Sequence, residues 1–152
     1  PGLTLTPEAS LDDAAGVVAS AWSDALAPVL GPAMVVVGPG GVAVRYAAPA
    51  EVWGCVPDDS GVDPGPCEPG QRRAQANGVY RGDHILIRDD VLAEACVVFI
   101  LAHEAGHGLG AAHTPAGLMA ARGPEPNAPA QACEGWTIDA AALDAVVGDG
   151  HR

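Results

Sequence analysis

The chain has 152 residues, 49% of them hydrophobic and 17% charged, which suits one domain with its own core and argues against intrinsic disorder. Its formal net charge is −12, and all seven basic residues are arginine; such a surface repels phosphate, so nucleic acid and anionic membrane are not expected partners. No apolar run reaches the length of a transmembrane helix, and with aromatics at only 4% the core must be built from Ala, Val, Leu and Ile.

Residues 7–28 read as a helix. Pro7 suits a first turn, and Glu8, Asp12 and Asp13 suit the positive end of the dipole. Leu11, Ala14, Ala15, Val18, Ala21, Trp22 and Leu26 recur at helical spacing, and Pro28 with Gly31-Pro32 ends the run. The β-branched stretch 33–38 predicts a short buried strand, and 41–47 and 51–56 predict two more. Residues 57–78 hold Pro, Gly, Asp and Gln without periodicity and read as a long loop. Residues 83–89 alternate as a strand. A strongly apolar helix follows over 91–109, with Asp89 and Asp90 as candidate caps. After a Pro/Gly-rich loop over 114–132, residues 137–148 predict a last helix, with Thr137 as cap, Asp139 in the first turn and Gly148 as stop. There is no internal repeat. The order helix, strands, helix, loop, helix predicts one α+β domain over 1–152.

The four cysteines are Cys55, Cys67, Cys96 and Cys133, none in a C-x-x-C pair, so a cysteine zinc site is not indicated. Their even number fits two disulfides and an oxidising compartment, with three pairings open. Cys55–Cys67 is favoured because it closes the Pro- and Gly-rich loop, which leaves Cys96–Cys133. No signal peptide stands at the start, so the chain reads as a mature secreted or extracytoplasmic domain whose targeting segment lies outside it.

Three of the five histidines fall in "HEAGHGLGAAH", residues 103–113. His103 and His107 are one helical turn apart and project from one face, where they can grip one metal ion. Gly110 falls where the helix should stop; a left-handed glycine there turns the chain and brings His113 toward the same ion. Three imidazoles leave a fourth tetrahedral position for water, the pattern of a catalytic zinc. Glu104, adjacent to His103, is placed to take a proton from that water as general base.

This stretch resembles the extended zinc signature of the metzincin metallopeptidases. Their second hallmark, a methionine in a tight turn beneath the metal, is matched by Met119 in "GLMA". The short gap from His113 to Met119 and the final helix are similar to the matrixin group. The resemblance covers about residues 80–148. It implies a small twisted mixed sheet with an N-terminal helix, an active-site helix and a C-terminal helix. The sheet and active-site helix would form an upper part over about 1–109, and the Met-turn and last helix a lower part over 110–152. It implies one catalytic zinc on His103, His107 and His113, with Glu104 as catalytic base, and structural support from Gly110, Met119 and Asp139. Asp139 would tie the last helix to the active-site region. Strand 83–88 would be the sheet edge beside which an extended protein or peptide substrate lies. Matrixins follow the methionine with bulky residues and a proline; here "MAARGPEP" leaves the neighbouring pocket open. No tyrosine follows Met119 at the astacin or serralysin spacing.

Other features carry less. Arg81-Gly82-Asp83 spells an adhesion-type triplet, a match short enough to be common by chance. His84 reads as an ordinary strand histidine rather than a second metal ligand. Asp58, Asp59 and Asp63 offer oxygens to calcium without an EF-hand spacing, so calcium has no clear motif behind it. The expectation is a secreted, monomeric zinc endopeptidase. The alternatives are a catalytically silent zinc-binding module on the same scaffold and a zinc hydrolase for another amide, such as one in a cell-wall peptide.

Overall fold

The computed structural model describes residues 2–148. A five-stranded sheet is built from β1 (Leu3–Pro7), β2 (Val35–Val37), β3 (Val42–Ala47), β6 (Gly78–Tyr80) and β7 (His84–Arg88). Their order across the sheet is β2-β1-β3-β7-β6. Every neighbouring pair is parallel except β6 with β7, so the sheet is mixed. β4 (Trp53–Pro57) and β5 (Gln71–Gln75) form a separate antiparallel hairpin. The helices are α1 (Asp12–Leu30), α2 (Glu94–Gly108) and α3 (Ala140–Val147). The architecture is α+β, as the order of elements predicts.

Strand β1 is absent from the sequence reading, which placed Pro7 at the start of a helix. Leu3 and Leu5 alternate inward, both buried, and Pro7, which lacks an N–H, ends the strand instead. A 3-10 turn over Ala9–Leu11 then leads into α1 at Asp12. Pro28 does not end that helix. It lies in the last turns, and the chain leaves the helix after Leu30, where Gly31 adopts φ 91°. The stripe read from the sequence faces the core: Ala14, Ala15, Val18, Trp22 and Leu26 are all buried.

Strand β2 is an outer strand rather than a buried one. Val35 is buried, but Val36 and Val37 are 40% and 39% exposed. Segment 57–78 is not loop throughout, because β5 pairs with β4 inside it. "QRRAQ" carries no apolar alternation, and its strand state comes from the pairing alone. Strand 83–88 is not the sheet edge either: β3 flanks β7 on one side and β6 on the other, and β6 is the outer strand.

Two cap assignments also shift. Asp90 accepts two hydrogen bonds from the Arg88 guanidinium, at 2.8 and 2.6 Å, so it is not a helix cap. Helix α2 starts after Ala93 without a side-chain cap. Asp139, not Thr137, caps α3 by accepting the Ala142 N–H at 2.9 Å.

Both disulfides are Cys55–Cys67 and Cys96–Cys133. The first ties β4 to the loop that leads to β5, and the second ties the first turn of α2 to the end of the 3-10 turn Ala130–Ala132. The principal core lies between the sheet and the helices and includes Leu5, Trp22, Ile85, Leu101 and Met119. The indole Nε1 of Trp22 donates to the carbonyl of Ala102 at 2.9 Å, which fixes α1 against α2 one residue before His103. No helix among the described residues is long and apolar enough to cross a membrane.

Candidate metal centre

Helix α2 carries His103 and His107 one turn apart near its C-terminus. Gly110 follows with φ 98°, a left-handed conformation that reverses the chain. Two backbone bonds set the turn, Gly110 N–H to His107 O and Ala111 N–H to Gly106 O, both 2.9 Å. The reversal carries His113 back to the helix. Its Nε2 lies 3.2 Å from Nε2 of His107, which lies 3.1 Å from Nε2 of His103.

The opposite ring nitrogens explain this arrangement. Nδ1 of His103 donates to Leu118 O and Nδ1 of His107 donates to Ala111 O, each at 2.7 Å. Those bonds place the proton on Nδ1 and leave the Nε2 lone pairs facing one another. Burial pushes His103 down to about 4, and it lowers His107 as well. Neutral imidazoles with converging lone pairs repel unless a cation sits among them. The donor set therefore fits a metal ion, and three nitrogens with an open fourth side suit zinc. Among the described residues this is the one group of three or more His, Cys, Asp or Glu side chains placed to hold an ion.

The cage stands on a second layer. Leu118 accepts from His103 through its carbonyl and gives its own N–H to Asp139 Oδ2 at 3.0 Å. One residue, Leu118, thus links the cage to the cap of α3. Gly117 has φ 81° and packs directly against the Asp139 carboxylate, leaving no room for a side chain. The turn closes through Thr114 N–H to Met119 O at 2.9 Å. Met119 is fully buried. Its sulfur would stand 2.5 Å from a Cβ at Gly106, so it lies against the bare backbone of α2 next to His107.

Gly106 is a supporting residue that the sequence reading passed over. The available signal was a glycine inside an otherwise apolar helix, which lowers helix stability and calls for a packing reason. Gly78 is another. A side chain there would collide with Ile100 and crowd the Glu104 stem, so its absence lets β6 approach α2.

Glu104 is 6% exposed, the one buried charged residue among those described. Its carboxylate accepts the Tyr80 N–H of β6, and burial pushes its pKa up to about 8. Oε2 lies 3.8 Å from His103 Nε2. Histidines and carboxylate together line an open cleft of about 850 Å³. Its walls are the hairpin and β6 on one side and residues 121–126 on the other.

The remaining candidates lie elsewhere. Arg81 stacks on Trp53 and donates to the carbonyls of Glu51 and Trp53, and Asp83 pairs with His84, so the triplet is engaged locally. Asp58 bonds Ser60, and Asp63 bonds the Gly65 N–H, each closing a local turn. His151 lies outside the described residues. No protein-family model matches this chain, and no curated protein matches it either.

Proposed function

We propose that the chain is a secreted zinc-dependent endopeptidase of the metzincin type, most like the matrixins. The observation that carries the reading is a buried carboxylate 3.8 Å from His103 Nε2, beside a cage of three converging imidazoles that line the same open cleft. Bound in the cage, zinc would supply Lewis acidity, lowering the pKa of a water to about 7 and polarising the scissile carbonyl. Glu104 accepts the proton of the attacking water and delivers it to the departing amine. Its elevated pKa favours holding that proton, and a divalent charge beside it acts in the opposite direction. The Tyr80 N–H holds the carboxylate in place.

The outer strand β6 borders the cleft, so an extended substrate pairs along Gly78–Tyr80 rather than along strand 83–88. Two disulfides support an oxidising compartment. The competing reading, a silent zinc module, has no use for Glu104: a cage that only holds zinc gains nothing from a carboxylate whose burial is unfavourable.

Digestion of an unfolded protein by the zinc-loaded domain tests the proposal. Cleavage should stop with a chelator. It should fall by about 10²–10⁴-fold in Glu104→Gln, while that variant still binds one zinc by elemental analysis. A wild type that holds one zinc and cleaves nothing beyond Glu104→Gln rejects the peptidase.

A further inference from the structure

The charge on this molecule is unevenly placed. Against a net charge of −12, Arg72 and Arg73 stand on the hairpin wall, Arg81 follows the outer strand, and Arg88 and Arg122 line the cleft itself. Most of these cations are engaged. Arg73 and Arg81 stack on Trp53 and donate to backbone carbonyls. Arg88 forms a two-point pair with Asp90 and feels Asp89 and Glu125 as well. Arg72 and Arg122 make no ion pair or side-chain hydrogen bond among the described residues, and of these two Arg122 is the one that lines the cleft.

Arg122 is also not on a free-swinging loop. The wall that bears it is tied across the cleft by the Asn77 amide, which donates to Pro124 O, and further along by Leu92 N–H to Pro126 O. On its other side, Ala120 bridges to Thr114 of the metal turn. The backbone that bears Arg122 is thus anchored between the cage and a fixed proline, and the residue lines the same cleft as Glu104 and the three histidines.

We infer that Arg122 is a specificity-determining residue and that the cleft takes peptides carrying an acidic side chain within about three residues of the scissile bond. This rests on the peptidase reading above. A carboxylate can meet the guanidinium fork at two points. The remainder of the surface repels acidic chains, so the preference is local rather than a product of long-range steering.

Cleavage-site profiling of a peptide library by the zinc-loaded protein gives the first readout: acidic residues enriched at one fixed position. For a peptide pair differing by Glu against Gln there, the kcat/KM ratio should be about 10, the low end for a hydrogen bond to a charged group because Arg122 is exposed. The ratio should fall to about 1 in Arg122→Ala, survive in Arg122→Lys and invert for a Lys peptide in Arg122→Glu. Arg45→Ala, on β3 outside the cleft, should leave it unchanged. The same peptide pair is titrated by fluorescence anisotropy against zinc-loaded Glu104→Gln. A Glu/Gln preference absent from both readouts, or unchanged in Arg122→Ala, overturns the inference. Arg122-dependent binding without any cleavage by the wild type rejects the peptidase alone and leaves the acidic preference standing.

Discussion

At the residue scale, the absence of one methyl group does much of the organising. Gly106 lets the Met119 sulfur and the edge of Trp22 meet the backbone of α2 beside His107; a Cβ there would lie 2.5 Å from Met119 Sδ and 3.0 Å from Trp22 Cζ2. Both neighbours are fully buried and cannot swing away. Gly106→Ala should therefore lose about 1–3 kcal/mol to overpacking, against about 1 kcal/mol gained in helix propensity, and should weaken zinc binding by tilting the cage. Gly16→Ala is the matched control. That helical glycine has open space around it, so the same substitution should stabilise by about 1 kcal/mol. Urea midpoints and a competitive zinc titration compare the two. His103 and His107 are visible in the sequence because one helical turn brings them to one face, and Glu104 because it stands next to His103 in the chain. Gly106 and Gly78 are not, since what they make room for lies on other elements.

At the scale of elements, α3 matters through the residue that caps it. Asp139 gives one carboxylate oxygen to the Ala142 N–H and the other to the Leu118 N–H, whose carbonyl in turn orients His103. Asp139→Ala should lose about 1–2 kcal/mol, the upper part of the range for a helix cap because it also leaves the Leu118 N–H unpaired. It should raise the zinc dissociation constant by about 10-fold or more, as the loss of a group that orients a ligand does. Asp139→Asn, which keeps an acceptor, should recover most of the stability. Denaturant unfolding of apo protein separates that term from the metal titration. The two disulfides act on different elements. Replacing the buried Cys96–Cys133 pair by alanine removes a crosslink spanning 37 residues, for a loss of about 4 kcal/mol by loop entropy. Cys55–Cys67 spans 12 residues and should contribute about 3 kcal/mol to its hairpin. Thermal melts of the two double alanine variants order the effects.

For the whole molecule, the cage joins parts that are distant in the chain: α2, the turn after Gly110 and the cap of α3. Metal should therefore stabilise the fold as a unit. Free zinc at about 100 times its dissociation constant should add about 2.7 kcal/mol. Chelation should lower Tm by about 5–10 °C for a domain of this size. A melt unchanged by chelator in protein shown beforehand to carry zinc contradicts that coupling.

Features that depend on local geometry are legible in the order of residues alone. The α+β order, the apolar stripe of α1, the ligand pair on α2 and the stop at Gly110 all follow from repeats of 3.6 or 2 and from the backbone freedom of glycine. The favoured cysteine pairing was legible for the same reason, because a 12-residue loop closes readily. Features that depend on a partner emerge with the packed fold. Strand β5 exists because β4 pairs with it, and β1 because the sheet takes both of its edges. Strand 83–88 looks like an edge until β6 is laid beside it, which transfers the free edge to Gly78–Tyr80. In one dimension Asp90 reads as a cap and Asp139 as a first-turn charge; Arg88 claims the first, and the second caps α3 and reaches Leu118. A side chain's competing partners come from elements far along the chain, and no local period records them.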